Sequence, residues 1–246
     1  MTLSDTSTWL PLDGLAPGFD ANKAPTVDDL HGREFVLRDD SGPIRTWNGA
    51  EPGETFLVDD DLYYVQVRPS AREAVSLFLD LRDGRALVVT TTIGDHGTPR
   101  VTQDFLPATI DGHEARGEPM APSTALIGRR VLWVYSAEHA YEHVYLSPHW
   151  YTWQCLAGPE RGLADTDENT VYQLRPGIHV FTWREKVIPC ASVTVADHRN
   201  ARALRSHGVL FGLDATGEQP THFTFGAHGR LLSTTVHPGP YDPAEG

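Results

Sequence analysis

Apolar positions along this chain come in short runs, many alternating with polar ones, which is the period of half-buried β-strands. Glu34–Leu37, Leu62–Val67, Val75–Leu81 and Ala86–Thr91 are such runs. Asp-Asp-Ser-Gly, Arg-Pro-Ser and Arg-Asp-Gly-Arg separate them and read as turns. Asp83-Gly84 between the last two runs predicts a hairpin, because Asp-Gly readily supplies the positive φ angles of a tight turn. No window has the spacing of a long helix. Pro25–Leu30 and Pro220–Phe225 are each expected to form one short helical turn.

The pattern then restarts. Glu114–Ser123 (EARGEPMAPS) has no apolar periodicity and reads as a linker. Leu30-His31-Gly32-Arg33 before it is answered by Leu126-Ile127-Gly128-Arg129 after it, an offset of 96 residues. Val75–Asp80 is answered by Ala191–Asp197, an offset of 116, so the second half carries an insertion, for which Pro159–Thr170 is the candidate. The expected fold is all-β, two antiparallel β-barrels in tandem: residues 1–113, a linker at 114–123, and residues 124–246. A single continuous β-sandwich is the competing arrangement. A barrel of about eight strands can hold one small ligand.

Composition narrows the function. A net charge of −13, with Lys23 and Lys186 the only lysines, argues against a nucleic-acid partner, since a phosphate backbone needs a basic face. No stretch approaches the ~18 apolar residues of a membrane span. Met1–Leu15 has no basic segment leading into an apolar one, so no signal peptide is expected and the chain reads as cytoplasmic. Cys155 and Cys190 make no CxxC and read as buried, reduced thiols. Oligomeric state is not legible.

The second half concentrates the chemistry, with four of the six tryptophans between Trp133 and Trp183. Aromatic and ionisable residues alternate in Tyr141–Tyr145, His149–Cys155 and Phe181–Lys186. On the last run period two puts His179, Phe181, Trp183 and Glu185 on one side, the expected interior, and Val180, Thr182, Arg184 and Lys186 on the other. A carboxyl group beside Trp and Phe has a raised pKa, which suits a general acid or base near neutral pH. A rim position for Glu185, paired with a neighbouring cation, is the alternative. His139 and His143 do not make a recognisable metal motif, and no metal is expected. Asp165-Thr166-Asp167 reads as turn capping or a cation site. GxGxxG, GxxxxGK[ST] and GxSxG motifs are missing, so neither a nucleotide nor a hydrolase nucleophile is indicated.

Glu142–Leu146, Tyr151–Gly158, Gly162–Asp167 and Phe181–Lys186, followed by Gly226-Ala227-His228 and Thr234–His237, resemble the MoaF family. The likeness covers most of the second half, while the first half matches in outline. It implies a lipocalin-like barrel in each half, and the family name points to molybdenum cofactor synthesis. The second half is also distantly similar to phenolic acid decarboxylases, through Gly128, Trp133-Val134-Tyr135, Tyr141-Glu142 and Trp183-Arg184-Glu185. That resemblance implies catalytic roles for Glu185 and Tyr135. It places Trp133 where those enzymes have a second tyrosine and Gln154 near their arginine, departures that put phenolic acid decarboxylation in doubt. The substrate-binding set expected here is Trp133, His143, Tyr145, Trp153, Gln154 and Trp183. The function expected is cofactor-independent lyase, isomerase or cyclase chemistry on a small aromatic or unsaturated molecule. The alternatives are a non-catalytic ligand carrier and an accessory protein of cofactor biosynthesis.

Overall fold

The computed structural model describes residues 9–245; the part of the signal-peptide reading that concerns residues 1–8 lies outside them. Strands hold 55% of the described residues and helix 4%, the all-β fold the alternation predicts. The first half forms β1 (Glu34–Asp39), β2 (Gly42–Asn48), β3 (Gly53–Asp59), β4 (Leu62–Ser70), β5 (Glu73–Asp80), β6 (Arg85–Ile93) and β7 (Val101–Ile110). The second forms β8 (Ala121–Pro122), β9 (Arg129–Val134), β10 (Ala140–Tyr145), β11 (Trp150–Ala157) and β12 (Ala164–Arg175). It continues with β13 (Ile178–Arg184), β14 (Cys190–Asp197), β15 (Leu204–Leu213) and β16 (Pro220–Thr234). The Asp83-Gly84 hairpin joins β5 to β6 as expected, with Gly84 at φ 62°.

All neighbours are antiparallel. The first sheet runs β2-β1-β7-β6-β5-β4-β3 and the second β11-β10-β9-β16-β15-β14-β13-β12-β8. In the second, β11 also pairs with β12 (Trp150–Gln154 against Glu168–Ala164), closing an eight-stranded barrel. The first is the same meander without that closing strand and stays a curled half-barrel. The twenty-residue difference between the two repeat offsets is therefore β11 with its turns, lying earlier than Pro159–Thr170. Most of that stretch, from Ala164 onward, is instead the start of β12.

Two local expectations are overturned. Pro220–Phe225 is the start of β16, held to β15 from Leu213↔Pro220 through Gly208↔Phe225, because Phe223 and Phe225 pack into the barrel. Pro25–Leu30 contains a bridge, Thr26 to Phe56, and a turn rather than a helix. The α-helical turn is Leu12–Leu15.

The halves pack sheet against sheet. Phe56, Leu62, Tyr64 and Phe78 of the first meet Ile178, Val180, Val193 and Val195 of the second in one buried cluster. The Tyr64 hydroxyl donates to the Val193 carbonyl at 3.1 Å. Arg175 donates two bonds of 2.7 Å to the buried Asp80 and one of 2.8 Å to Asp59 across the same boundary. The linker joins this arrangement, since Met120 is buried in the cluster and Ala121–Pro122 pairs with β12. Residues 9–22, grouped with the first half by sequence order, lie over the second barrel.

Candidate functional site

The barrel interior follows from strand alternation. From β13 it receives His179, Phe181, Trp183 and, just past the strand's end, Glu185, all buried. That is the side the period-two reading predicted. β11 contributes Tyr151, Trp153 and Cys155; β10 contributes Tyr141, His143 and Tyr145. The cavity at one end of the barrel is lined by Tyr135, His143, Trp153, Trp183 and Glu185, five of the eight residues expected at the site. Trp133 and Tyr145 lie deeper, around a void of about 10 Å³ behind it that shares Tyr135, His143 and Trp183. Gln154 does not belong to the interior. With Trp153 and Cys155 facing in, it must face out, where it donates to Glu142 Oε1 at 3.2 Å beside Arg130.

Sequence reading missed Tyr141, Tyr151, Glu160 and Asp167. Asp167 is a buried interior side chain of β12 rather than a turn cap. Its Oδ2 accepts from Trp153 Nε1 at 3.0 Å, and Lys186, curling round the rim, reaches its Oδ1 at 3.3 Å and also pairs with Asp165. Glu185 Oε1 accepts from Trp183 Nε1 at 2.8 Å. Glu185 Oε2 has no N–H or O–H donor and adjoins the Asp167 carboxylate. Burial first, and the neighbouring Asp167 charge second, push the Glu185 carboxyl well above the usual range. Lys186 compensates Asp167, whereas Glu185 has only an indole. Glu185 is therefore the member of the pair held in its protonated form.

Burial acts on the other groups too. Burial lowers His143 to about 3, so it is an uncharged imidazole, and its Nδ1 has no partner. Burial keeps Tyr135 a phenol. Glu160, raised by burial, accepts from the Tyr141 hydroxyl at 2.9 Å. Cys155 and Cys190 are buried free thiols. Among the described residues no three His, Cys, Asp or Glu side chains are grouped as a metal site, and no helix is long and apolar enough to cross a membrane.

A strap closes the cavity. Trp9 meets Trp153 edge-on at 5.3 Å between centroids, and Phe19 packs on Tyr135 at 4.9 Å. Asn22 Nδ2 donates to the Tyr135 carbonyl at 2.9 Å. Gly226 of β16 allows the approach, since a Cβ there would stand 2.2 Å from the Asn22 carbonyl oxygen. About 60 Å³ remains beneath the strap, less than half of the ~150 Å³ void that holds a benzene ring. An aromatic ligand therefore requires the strap to lift. Phe19→Ala is expected to weaken its docking by about 3 kcal/mol and to raise acrylamide quenching of the tryptophans. Unchanged quenching would show that the strap does not control access.

The sequence matches two family descriptions, the MoaF N-terminal domain over residues 7–95 and the MoaF C-terminal domain over 120–235. Protein MoaF of Klebsiella aerogenes is 29% identical over 224 residues, covering 83% of this chain and 82% of that protein. A Burkholderia vietnamiensis crystal structure, provisionally called a beta-lactamase, aligns with 44% of this chain and 95% of its own at 13% identity. Its TM-score of 0.34 carries no argument. Matched in both halves, the chain belongs to the MoaF family.

Proposed function

We propose that the second barrel is the active site of a small enzyme that works by proton transfer, without a metal or organic cofactor, on an aromatic or unsaturated molecule. The observation that carries this reading is Glu185, a buried carboxyl group on the cavity wall with the Asp167 carboxyl group beside it and no cation of its own. Such a group can give up or take a proton near neutral pH, as general acids and bases do. Tyr135 and neutral His143 supply positioning, and the indoles of Trp153 and Trp183 supply flat apolar contact. Trp133 and Tyr145 support these walls from behind. Lyase, isomerase or cyclase steps need no more than this.

Among the described residues no cation lines the cavity, which separates it from a site built to hold a substrate carboxylate and argues against the phenolic acid chemistry of the distant resemblance. The test is a fluorescence screen for ligands that perturb the tryptophans, followed by turnover assays on those that bind. Glu185→Gln, nearly isosteric with the protonated acid, is expected to keep binding and lose roughly a hundredfold or more in turnover. Turnover that survives the substitution sinks the acid–base reading. Binding without turnover by the unmodified protein makes the barrel a carrier.

A further inference from the structure

The cavity has an uneven charge inventory. Glu185 and Glu160 lie on its wall and Asp167 directly behind, while among the described residues no lysine or arginine side chain lines it. Its one basic group, His143, is too deeply buried to be charged. Lys186 is spent on Asp165, Asp167 and the Thr166 carbonyl at the rim. Most of the rest of the wall is aromatic, including Trp9, Trp153 and Trp183 with Tyr141, Tyr151 and Phe225, and Leu15, Ile188, Cys190 and Leu210 complete it. Aromatic faces carry the negative end of the ring quadrupole and attract cations within about 6 Å, more strongly when water is excluded.

The acidic cluster is not explained as internal ion pairing. Glu185, nine-tenths buried, meets at Oε2 only another carboxyl group, Asp167, on a wall where the described residues supply no cation. We infer that the barrel cavity takes an organic ammonium ion, an amine carried on an aromatic or similarly flat body, with the nitrogen directed at Glu185 and the body against the indoles. This rests on the reading of the barrel cavity as the substrate site. An anionic ligand meets two carboxyl groups and no cation there, and a neutral one leaves the Glu185–Asp167 pair without a countercharge on the Glu185 side.

Binding changes the protonation of the site. The groups facing Glu185 are Asp167 from β12, Tyr151 from β11, Cys190 from β14, Glu160 from the turn after β11 and His143 from β10, with Lys186 beyond Asp167. None of these supplies a positive charge next to Glu185 in the free protein. An ammonium ion does, so Glu185 ionises and its proton passes to the solvent. The amine nitrogen keeps its own hydrogens and no covalent bond forms. Linkage then requires about one proton released per cation bound at pH 7.

A matched series tests this: benzylamine, benzyltrimethylammonium, benzyl alcohol and benzoate, titrated by tryptophan fluorescence and by calorimetry in buffers of different ionisation enthalpy. The two cations are expected to bind at least tenfold more tightly than benzyl alcohol, with benzoate weakest and about one proton released per cation. Glu185→Gln should abolish the proton release and the preference for cations while retaining benzyl alcohol, which also shows that the variant is folded. Benzyl alcohol or benzoate binding as tightly as benzylamine, or cation binding without proton release, overturns the inference. If neutral molecules are preferred and Glu185→Gln still abolishes turnover, the enzyme reading stands and the cation assignment falls. If cations bind with proton release and nothing is turned over, the reverse holds.

Discussion

Replacing Arg175 by alanine is expected to destabilise the protein by about 3–5 kcal/mol, the cost of leaving a buried charge without its partner. Arg175 is 3% exposed and Asp80 1%, and the guanidinium spends four of its five N–H groups on Asp80, Asp59 and the Asp60 carbonyl. Alanine removes all four and strands Asp80 between two sheets. What remains for that carboxylate is one backbone donor, Asp83, at 3.0 Å. Arg199, which shares Asp59 but is 46% exposed, is the control: Arg199→Ala should cost about 1 kcal/mol or less. Guanidinium melts of both variants check the pair. An Arg175→Ala loss within 1 kcal/mol of the Arg199→Ala loss would mean that the cross-sheet bridge contributes little. Adding Asp80→Ala to Arg175→Ala should recover much of the loss, because the stranded charge is then gone.

Acid is expected to weaken the fold well before the ordinary carboxylates titrate. Burial lowers His143, His198 and His207 to about 3 and His179 to about 4, Arg129 adding to the effect at His179 and His198. In the unfolded chain these groups take up protons near pH 6.5. Their contribution is thus present above pH 6.5 and lost as pH falls toward 3–4, each costing on the order of 2 kcal/mol by pH 5. Glu185 and Glu160 act in the opposite sense. Their raised pKa values give a contribution complete below about 4.5 and lost as pH rises through the folded values. Four histidines against two acids leave a net loss of a few kcal/mol between pH 7 and pH 5. Denaturant midpoints across that range measure it. A midpoint at pH 5 equal to or above that at pH 7 would contradict the neutral, buried state of the histidines.

Alternation along single strands made much of the interior legible from sequence. Trp183 and Glu185 were placed inside by counting twos from His179, and no tertiary knowledge was needed. The same count applied to β11 puts Gln154 outside, since Trp153 and Cys155 claim the interior; its assignment to the site came from family correspondence instead. Asp167 was hidden for a different reason. It lies in Leu163–Thr170, a polar run that looks like a loop, and polar residues face inward on β12 only because indole and lysine partners arrive from β11 and from beyond β13. Nothing local marks Trp9 or Phe19 as belonging to the distant barrel, because their contacts span more than a hundred residues. Repeat spacing disclosed that about twenty residues were inserted, and only the pairing of β11 with both β10 and β12 showed that they form a strand.

That strand gives the chain an internal comparison that few proteins carry. Both halves follow one strand order, and they differ by a single stave. Without it, the first half gathers Phe35, Trp47, Tyr63 and Leu77 into one buried cluster. With it, the second half gains circumference, encloses space, and receives Tyr151 and Trp153 on the very stave that widened it. One strand thus both closes the second sheet and supplies part of the cavity's aromatic wall, and the first half has the same strand order without it.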